Sequence, residues 1–135
     1  MSEYYDLAVR YLDEKGIKHR GDGNTSLTVT YNTKNLPHVA VKIFFDEDGE
    51  NMLTTRTWDI ASFKDKEAVG YKVCNDLNNQ YRWGKFFVDK DSDICFQCDA
   101  YLNKDNCGEE VLFIVRRVVG IVDDAYPKIA LARFS

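Results

Sequence analysis

The stretch that decides the fold is KFFVDKDSDICFQCDAYL, residues 85–102. In its first arm Phe86 and Val88 are the alternate apolar residues, and in its second arm they are Ile94, Phe96, Cys98 and Ala100. Residues 90–92, between the arms, have the polar composition of a turn. Alternation with a period of two predicts a β-hairpin, residues 85–89 and 93–102, that buries one face.

The beginning of the chain carries a helical pattern. Apolar residues recur at positions i, i+3, i+4, i+7 and i+8 between residues 3 and 15: Tyr4, Leu7, Ala8, Tyr11 and Leu12. Ser2 is an N-cap candidate and Gly16 fits the position just after a helix. The pattern predicts an amphipathic helix with a signal at each end.

Three strands are expected next. Residues 27–31 alternate Leu, Val and Tyr with threonine, and residues 38–45 and 52–60 continue the β pattern, with turn residues Asp46–Gly49 between them. Part of 17–20 is expected to join the first strand. Together these segments predict an antiparallel meander.

Two further helices complete the order α-β-β-β-α-β-β-α. Asp65 is the N-cap candidate of a helix that ends near Gln80. The last helix begins near Asn106 and is apolar on so many sides that it is either deeply buried or shared with a second subunit. Pro127 is expected to kink or end it. The fold class is therefore α+β, in a single domain spanning residues 1–135.

Charge and apolar content argue against two classes of partner, nucleic acids and membranes. The net charge is −4, and acidic and basic residues are interspersed, so no electrostatic footprint for nucleic acid or an anionic membrane is present. The N-terminus lacks a basic region followed by an apolar stretch, and the apolar runs are shorter than the roughly 20 residues of a spanning helix. We expect a cytoplasmic protein without nucleic-acid or membrane partners.

The four cysteines, Cys74, Cys95, Cys98 and Cys107, are expected to be reduced and mostly buried. Cys95 and Cys98 are three apart on a strand, so they point to opposite faces and do not form a metal pair. The helix dipole could lower the pKa of Cys107 and make it a reactive thiol. A thiol-dependent enzyme or redox-responsive protein using Cys107 or Cys95 is therefore an alternative.

The acidic motif at Asp89, Asp91 and Asp93 resembles the start of a calcium loop, but Ile94 and Ala100 occupy the positions where such a loop needs glycine and a bidentate acid. An acidic hairpin turn is the simpler interpretation, and we expect no metal and no cofactor. Catalytic residues are not indicated, although four acids could converge in three dimensions: Asp59, Asp99, Asp123 and Asp124.

Aromatic residues lie on or beside the strands of both hairpins. Alternation places some of them opposite the core, where they would form a patch for a partner unless helices cover both faces of the sheet. The candidate protein-binding residues are Trp58, Trp83, Phe87 and Tyr101.

The chain resembles the YbjN family of bacterial sensory-transduction regulators, whose fold is similar to that of type III secretion chaperones. The residues that carry the resemblance are Asn75–Asn78, Arg82–Asp89, Asp93–Phe96 and Asp99. The family's usual Asp-Gly turn is replaced here by Asp91 and Ser92.

The resemblance implies a non-enzymatic cytoplasmic homodimer that acts by binding another protein, in a chaperone-like or regulatory role. The apolar residues Val118, Ile121 and Val122 are the candidates for the dimer interface. A small-ligand sensor with an internal apolar pocket is a further alternative.

Overall fold

The computed structural model describes residues 3–46 and 51–135. Its elements in chain order are α1 (Glu3–Glu14), β1 (Arg20–Gly21), β2 (Ser26–Tyr31), β3 (Val39–Phe45), β4 (Met52–Ser62), α2 (Glu67–Gln80), β5 (Lys85–Val88), β6 (Asp93–Tyr101) and α3 (Cys107–Phe134). The predicted order is confirmed, with β1 as a short addition. Ser2 and most of the turn predicted at Asp46–Gly49 lie outside the described residues.

The described strands form one antiparallel sheet in the order β1-β2-β3-β4-β6-β5. The predicted meander is its first part, and the predicted hairpin of β5 and β6 joins it through pairing of β6 with β4. A register irregularity between Thr57 and Ala61 bends β4 near this junction.

All three helices lie on one face of the sheet. Tyr5 of α1 contacts Phe45 edge-on, with 6.1 Å between ring centroids, and Tyr81, just after α2, lies 6.3 Å from Phe86. Helix α3 packs against β3, β4 and β6. The opposite face, called the outer face below, has no described helix on it, so the alternative of a sheet covered on both sides is not met.

Helix α3 is the buried centre of the core, which is the first of the two alternatives that its composition left open. Its side chains at Val111, Val115, Val118 and Val122 are completely or almost completely removed from solvent. It meets α1 closely, because a Cβ placed on Gly108 would lie 2.3 Å from Cβ of Tyr11.

Pro127 does not end this helix, because α3 continues to Phe134. Proline has no N–H to donate to the carbonyl four residues earlier, which is that of Asp123. Asn35 replaces the missing donor: its Nδ2 donates to the Asp123 carbonyl at 2.9 Å, and its backbone N–H donates to Asp123 Oδ1 at 2.7 Å. The freed carbonyl is therefore satisfied from a loop.

The N-cap prediction for α2 is also wrong, since Lys66 occupies that position and Asp65 has a φ of 67°. The side chain of Lys66 instead caps another helix. Its Nζ donates to the carbonyls of Ala132, Arg133 and Ser135 at 3.2, 2.9 and 3.1 Å. These contacts satisfy carbonyl groups that the end of α3 leaves without helical partners.

The turn between β5 and β6 keeps the geometry that a glycine would provide. Ser92 has a φ of 65°, and its N–H donates to the Asp89 carbonyl at 3.0 Å. The turn is closed further by Asp89 N–H, which donates to the Asp93 carbonyl at 2.9 Å.

Candidate functional site

The four candidate aromatic residues fall into two places. Trp58 and Phe87 lie on the outer face of the sheet, and Trp83 lines a groove at the sheet edge. Tyr101, opposite Met52 at the end of β6, lies on the outer side and borders the groove. Trp83, Tyr101 and Trp58 are 51%, 78% and 39% exposed, and Phe87 is half-buried. The sequence therefore identified residues of two surfaces without separating them.

The groove lies between the end of β6 and the first half of α3. It has a volume of about 590 Å³ and opens to solvent. Its lining includes Trp83, Cys98, Tyr101, Phe113, Ile114 and Arg117. Because it is open, it is not the internal pocket that a small-ligand sensor was expected to have.

Arg117 is the cation of the groove, whose lining also contains the acids Asp99 and Glu110. Its guanidinium carbon lies 5.9 Å from the ring centroid of Trp83 and 5.2 Å from that of Phe113, in the range of cation–π attraction. Arg117 forms no ion pair within residues 3–46 and 51–135. Asn106, on the same wall, has a buried Oδ1 for which the described residues provide no hydrogen-bond donor.

A free strand edge lies beside this groove. Strand β5 pairs only with residues 94–97 of β6, which leaves residues 98–101 without a described neighbour on that side. Leu102 donates its N–H to the Asn51 carbonyl on the β4 side at 2.6 Å. Since backbone groups alternate in direction along an antiparallel strand, those of Asp99 and Tyr101 point to the free side.

The edge of β5, in contrast, is closed by a side chain of α2. Asn78 Oδ1 accepts from the Phe86 N–H at 2.7 Å, and its Nδ2 donates to the Phe86 carbonyl at 3.0 Å. The amide thus imitates a neighbouring strand and blocks further pairing there. Of these two adjacent edges, only that of β6 is open.

Gly84 determines where Trp83 lies. It has a φ of 74°, and a Cβ on it would lie 2.3 Å from Cζ of Phe96 and 2.8 Å from the Gln97 carbonyl oxygen. Only glycine allows both this conformation and this approach. The chain therefore turns sharply before β5 and leaves Trp83 at the mouth of the groove.

The outer face combines aromatic and cationic side chains. Trp58 packs edge-on against Phe44, with 6.1 Å between ring centroids. The guanidinium carbon of Arg56 lies 5.6 Å from the Trp58 ring centroid and 5.9 Å from that of Phe87. Arg56 also donates two hydrogen bonds to Gln97 Oε1.

The cysteines do not have the properties of reactive thiols. All four are buried and free, and burial raises the pKa of Cys74 and Cys107 to about 11 and that of Cys95 to about 12. The expectation of a lowered pKa at Cys107 is wrong, because desolvation disfavours the thiolate at the helix start. Cys95 lies opposite Phe87 and Cys98 opposite Thr55, which confirms that they occupy opposite faces.

The acidic residues have separate structural partners. Asp89 Oδ1 accepts from the N–H groups of Asp91 and Asp93 at 2.9 and 3.0 Å, as expected for a hairpin turn. The described residues contain no group of three or more side chains arranged as metal ligands. Asp123 contacts Asn35 and Asp124 accepts from Tyr81, so these two acids have partners outside the groove.

Burial of Asp93 and its hydrogen bond with Asp59 raise the pKa of Asp93. This pair lies on the outer face, where Asp93 is opposite Ser62. Asp99 also lies on the outer face, opposite Thr54, but toward the other end of β6 from Asp93. The four candidate acids therefore do not converge on one site.

The three candidate dimer residues are part of the chain's own core. Val118 and Val122 are completely buried, and Ile121 is 8% exposed. The exposed apolar residues of α3 are Phe113, Leu131 and Phe134. A dimer interface on α3 that leaves the core intact would therefore have to use these exposed residues.

Several residues of the two surfaces were not predicted. Phe113 and Arg117 are four residues apart and therefore share one helix face, which the sequence could have indicated. The many apolar residues of α3 made this pair hard to recognise. Phe44 and Arg56 could be identified only from strand register, because they come from different strands.

None of the three helices in the described part of the chain combines the length and the apolar character needed to cross a membrane. No curated protein sequence matches the chain significantly.

The fold is similar to two solved structures. The crystal structure of YbjN from E. coli, described as "a putative transcription regulator", superposes with a TM-score of 0.69 at 12% identity and covers 94% of this chain and 91% of its own. The Yersinia pestis type III secretion chaperone SycH, solved in complex with a fragment of YscM2, gives a TM-score of 0.52 at 14% identity, covering 88% of this chain and 96% of its own. The expected chaperone-like α+β fold is confirmed.

A family model described as "Putative bacterial sensory transduction regulator" matches residues 10–131, which is most of the sequence. The chain therefore belongs to the YbjN family.

Proposed function

We propose that this protein is a non-enzymatic binding module that captures an extended segment of another protein in the groove between β6 and α3. The observation that carries the proposal is the free edge of β6 at residues 98–101, directly beside the groove. An added strand would satisfy the outward backbone groups of Asp99 and Tyr101, and its alternate side chains would enter the groove. This is a protein-binding or regulatory role, as the family and the fold suggest.

The walls of the groove suit such a segment. Trp83, Tyr101 and Phe113 offer exposed aromatic surface, the kind that is enriched at protein interfaces. Arg117 lies between two aromatic rings with no described acid paired to it, so a carboxylate or carbonyl group of the bound segment can use it. The complex of SycH with a YscM2 fragment shows that a protein of similar fold binds another polypeptide.

The test uses random 15-residue peptides displayed on phage and selected on the wild-type protein. Selected peptides are then measured by fluorescence anisotropy on wild type, Asp99→Ala and Asp99→Pro. Proline is tolerated on an edge strand when its missing N–H faces away from the sheet, so both variants should fold. We expect Asp99→Pro to weaken binding at least about tenfold, and Asp99→Ala to weaken it far less, because only proline removes the free donor.

Equal affinity of the two variants would contradict strand addition. Thermal melting of both variants is the control for folding, since binding lost through unfolding would appear as a lowered transition temperature.

We also propose that the protein is a homodimer and resides in the cytoplasm, as the family resemblance implies. The exposed Leu131 and Phe134 near the end of α3 are better placed for an interface than the buried Val118, Ile121 and Val122. Light scattering should therefore give the mass of a dimer for wild type and of a folded monomer for Leu131→Asp. Ile121→Asp should unfold the chain. A monomeric wild type would contradict the dimer proposal. The cytoplasmic location is a separate proposal, which cell fractionation tests.

A further inference from the structure

One line of side chains crosses the outer face of the whole described sheet. Arg20 is opposite Thr28, Thr28 opposite Lys42, Lys42 opposite Arg56, Arg56 opposite Gln97 and Gln97 opposite Lys85. Residues directly opposite each other in a sheet share a face. We call this line, from Arg20 to Lys85, the cationic row.

Among the residues that the structure describes, the four cations of the row have no acidic partner. Arg20, Lys42, Arg56 and Lys85 form no ion pair with any residue of the described ranges. The hydrogen-bond partner of Arg56 in the row is the neutral amide of Gln97, which leaves its charge uncompensated. Since like charges on neighbouring strands repel each other, an anionic partner bound along the row would relieve this repulsion.

Aromatic rings lie beside three of these cations. Nζ of Lys42 lies 5.2 Å from the Phe44 ring centroid, and Nζ of Lys85 lies 5.7 Å from that of Phe87. Arg56 lies near the rings of both Trp58 and Phe87. Positioned cations beside apolar surface fit carboxylates carried by a segment that also has apolar side chains.

We propose that this outer face is a second docking surface, and that its partner is an extended acidic segment of a protein. With strands about 4.8 Å apart, the six-strand row spans roughly 24 Å, which an extended segment of about seven or eight residues covers. Acidic side chains of this segment meet Lys42, Arg56 and Lys85, and its apolar side chains contact Phe44, Trp58 and Phe87.

Acidic residues beside the row favour a peptide over nucleic acid. Asp99 lies on one side of the row, opposite Thr54, and the pair of Asp59 and Asp93 lies on the other. A nucleic-acid strand carries a negative charge at every nucleotide and would meet these carboxylates. A peptide can place its acids on the row alone.

The test titrates, at low salt, a fluorescein-labelled eight-residue peptide in which pairs of glutamate alternate with pairs of tyrosine, so that either face of the extended segment carries both residue types. Its counterpart has glutamine in place of glutamate, and a 15-nucleotide oligothymidylate is the nucleic-acid probe. The double variant Lys42→Gln with Arg56→Gln removes two charges from the row. The matched control, Lys34→Gln with Lys128→Gln, removes two charges from exposed positions outside it.

We expect the glutamate peptide to bind wild type and the control equally, and the row variant at least about tenfold more weakly, because two charge-assisted contacts are lost. Added salt should weaken the binding as well. Amide shifts in NMR spectra should map to Lys42, Arg56, Gln97 and Lys85.

Three results would overturn the proposal: equal binding of the glutamine peptide, unchanged binding in the row variant, or tighter binding of oligothymidylate that the row variant abolishes. Shift changes confined to Cys98, Phe113 and Arg117 would also overturn it, while supporting the groove. The two surfaces share none of these residues, so each proposal can fail alone.

Discussion

The guanidinium carbon of Arg117 lies 5.9 Å from the ring centroid of Trp83, so a residue of α3 and a residue of the turn before β5 meet across the mouth of one groove. Since about half of the Trp83 surface is exposed, its contacts within the chain are few compared with those of a core aromatic. We therefore interpret the pair as a contact surface that contributes little to folding.

Replacing Trp83 with serine should leave the protein folded and weaken peptide binding in the groove by about 2 kcal/mol or more, as expected for an aromatic anchor. Isothermal titration with a peptide selected on the wild type measures the change. Tyr71→Ser is the matched control, because Tyr71 is exposed on α2 and does not line the groove. Equal affinities of the two variants would remove Trp83 from the binding surface.

Asn78→Ala should destabilise the protein by about 1–3 kcal/mol, because the Phe86 N–H and carbonyl lose their partner in a partly buried place. Asn79→Ala is a close control, since the Asn79 side chain donates only to the exposed carbonyl of Asn75. Urea denaturation of both variants gives the comparison. A loss of stability no larger for Asn78→Ala than for Asn79→Ala would show that closing this strand edge is unimportant for folding.

Asn35→Ala should cost about 1 kcal/mol of stability, because the Asp123 carbonyl loses the donor that replaces the missing N–H of Pro127. In a Pro127→Ala background the helix supplies that N–H, so the same change should cost much less. The four chains form a double-mutant cycle, measured by urea denaturation. A coupling energy near zero would mean that Asn35 does not compensate for the proline.

The buried thiols give a pH prediction. Burial raises the pKa of Cys74, Cys95 and Cys107 in the folded state above the ordinary value near 8.5 that an unfolded chain has. The unfolded chain therefore loses these protons first. The stability gained from keeping the thiols protonated is complete below about pH 8.5 and is lost as the pH rises toward the folded values.

We accordingly expect the free energy of unfolding to fall between about pH 8.5 and 11, and to fall less steeply in Cys95→Ala. Urea denaturation across this range measures the slope. A thiol reagent should also label the native protein slowly at pH 7.5. Rapid labelling of one cysteine would instead revive the alternative of a thiol-dependent enzyme.

Local patterns were sufficient to predict the elements of this fold, because helix and strand periods are properties of neighbouring residues. The sequence analysis placed α1, the meander and the β5–β6 hairpin correctly. Pro127 shows the limit: its replacement donor, Asn35, lies 88 positions before Asp123, whose carbonyl it satisfies. No local rule can identify such a partner.

The binding surfaces show the same limit. Trp58 and Trp83 were equivalent in the sequence as aromatic residues near strands, but only the pairing of the strands separates them into two surfaces. The cationic row depends on the register of six strands, since its members lie up to 77 positions apart in the chain. Likewise, the apolar pattern of α3 could not tell a core face from a dimer face.

Hydrogen exchange at the amides of Asp99 and Tyr101, with and without a peptide selected on the wild type, tests the central claim most directly. If an extended segment adds to β6, both amides should exchange far more slowly in the complex, while the amides of Cys98 and Ala100, already directed toward β4, should change little. Saturating binding that leaves exchange at Asp99 and Tyr101 unchanged would contradict capture of a partner at this edge.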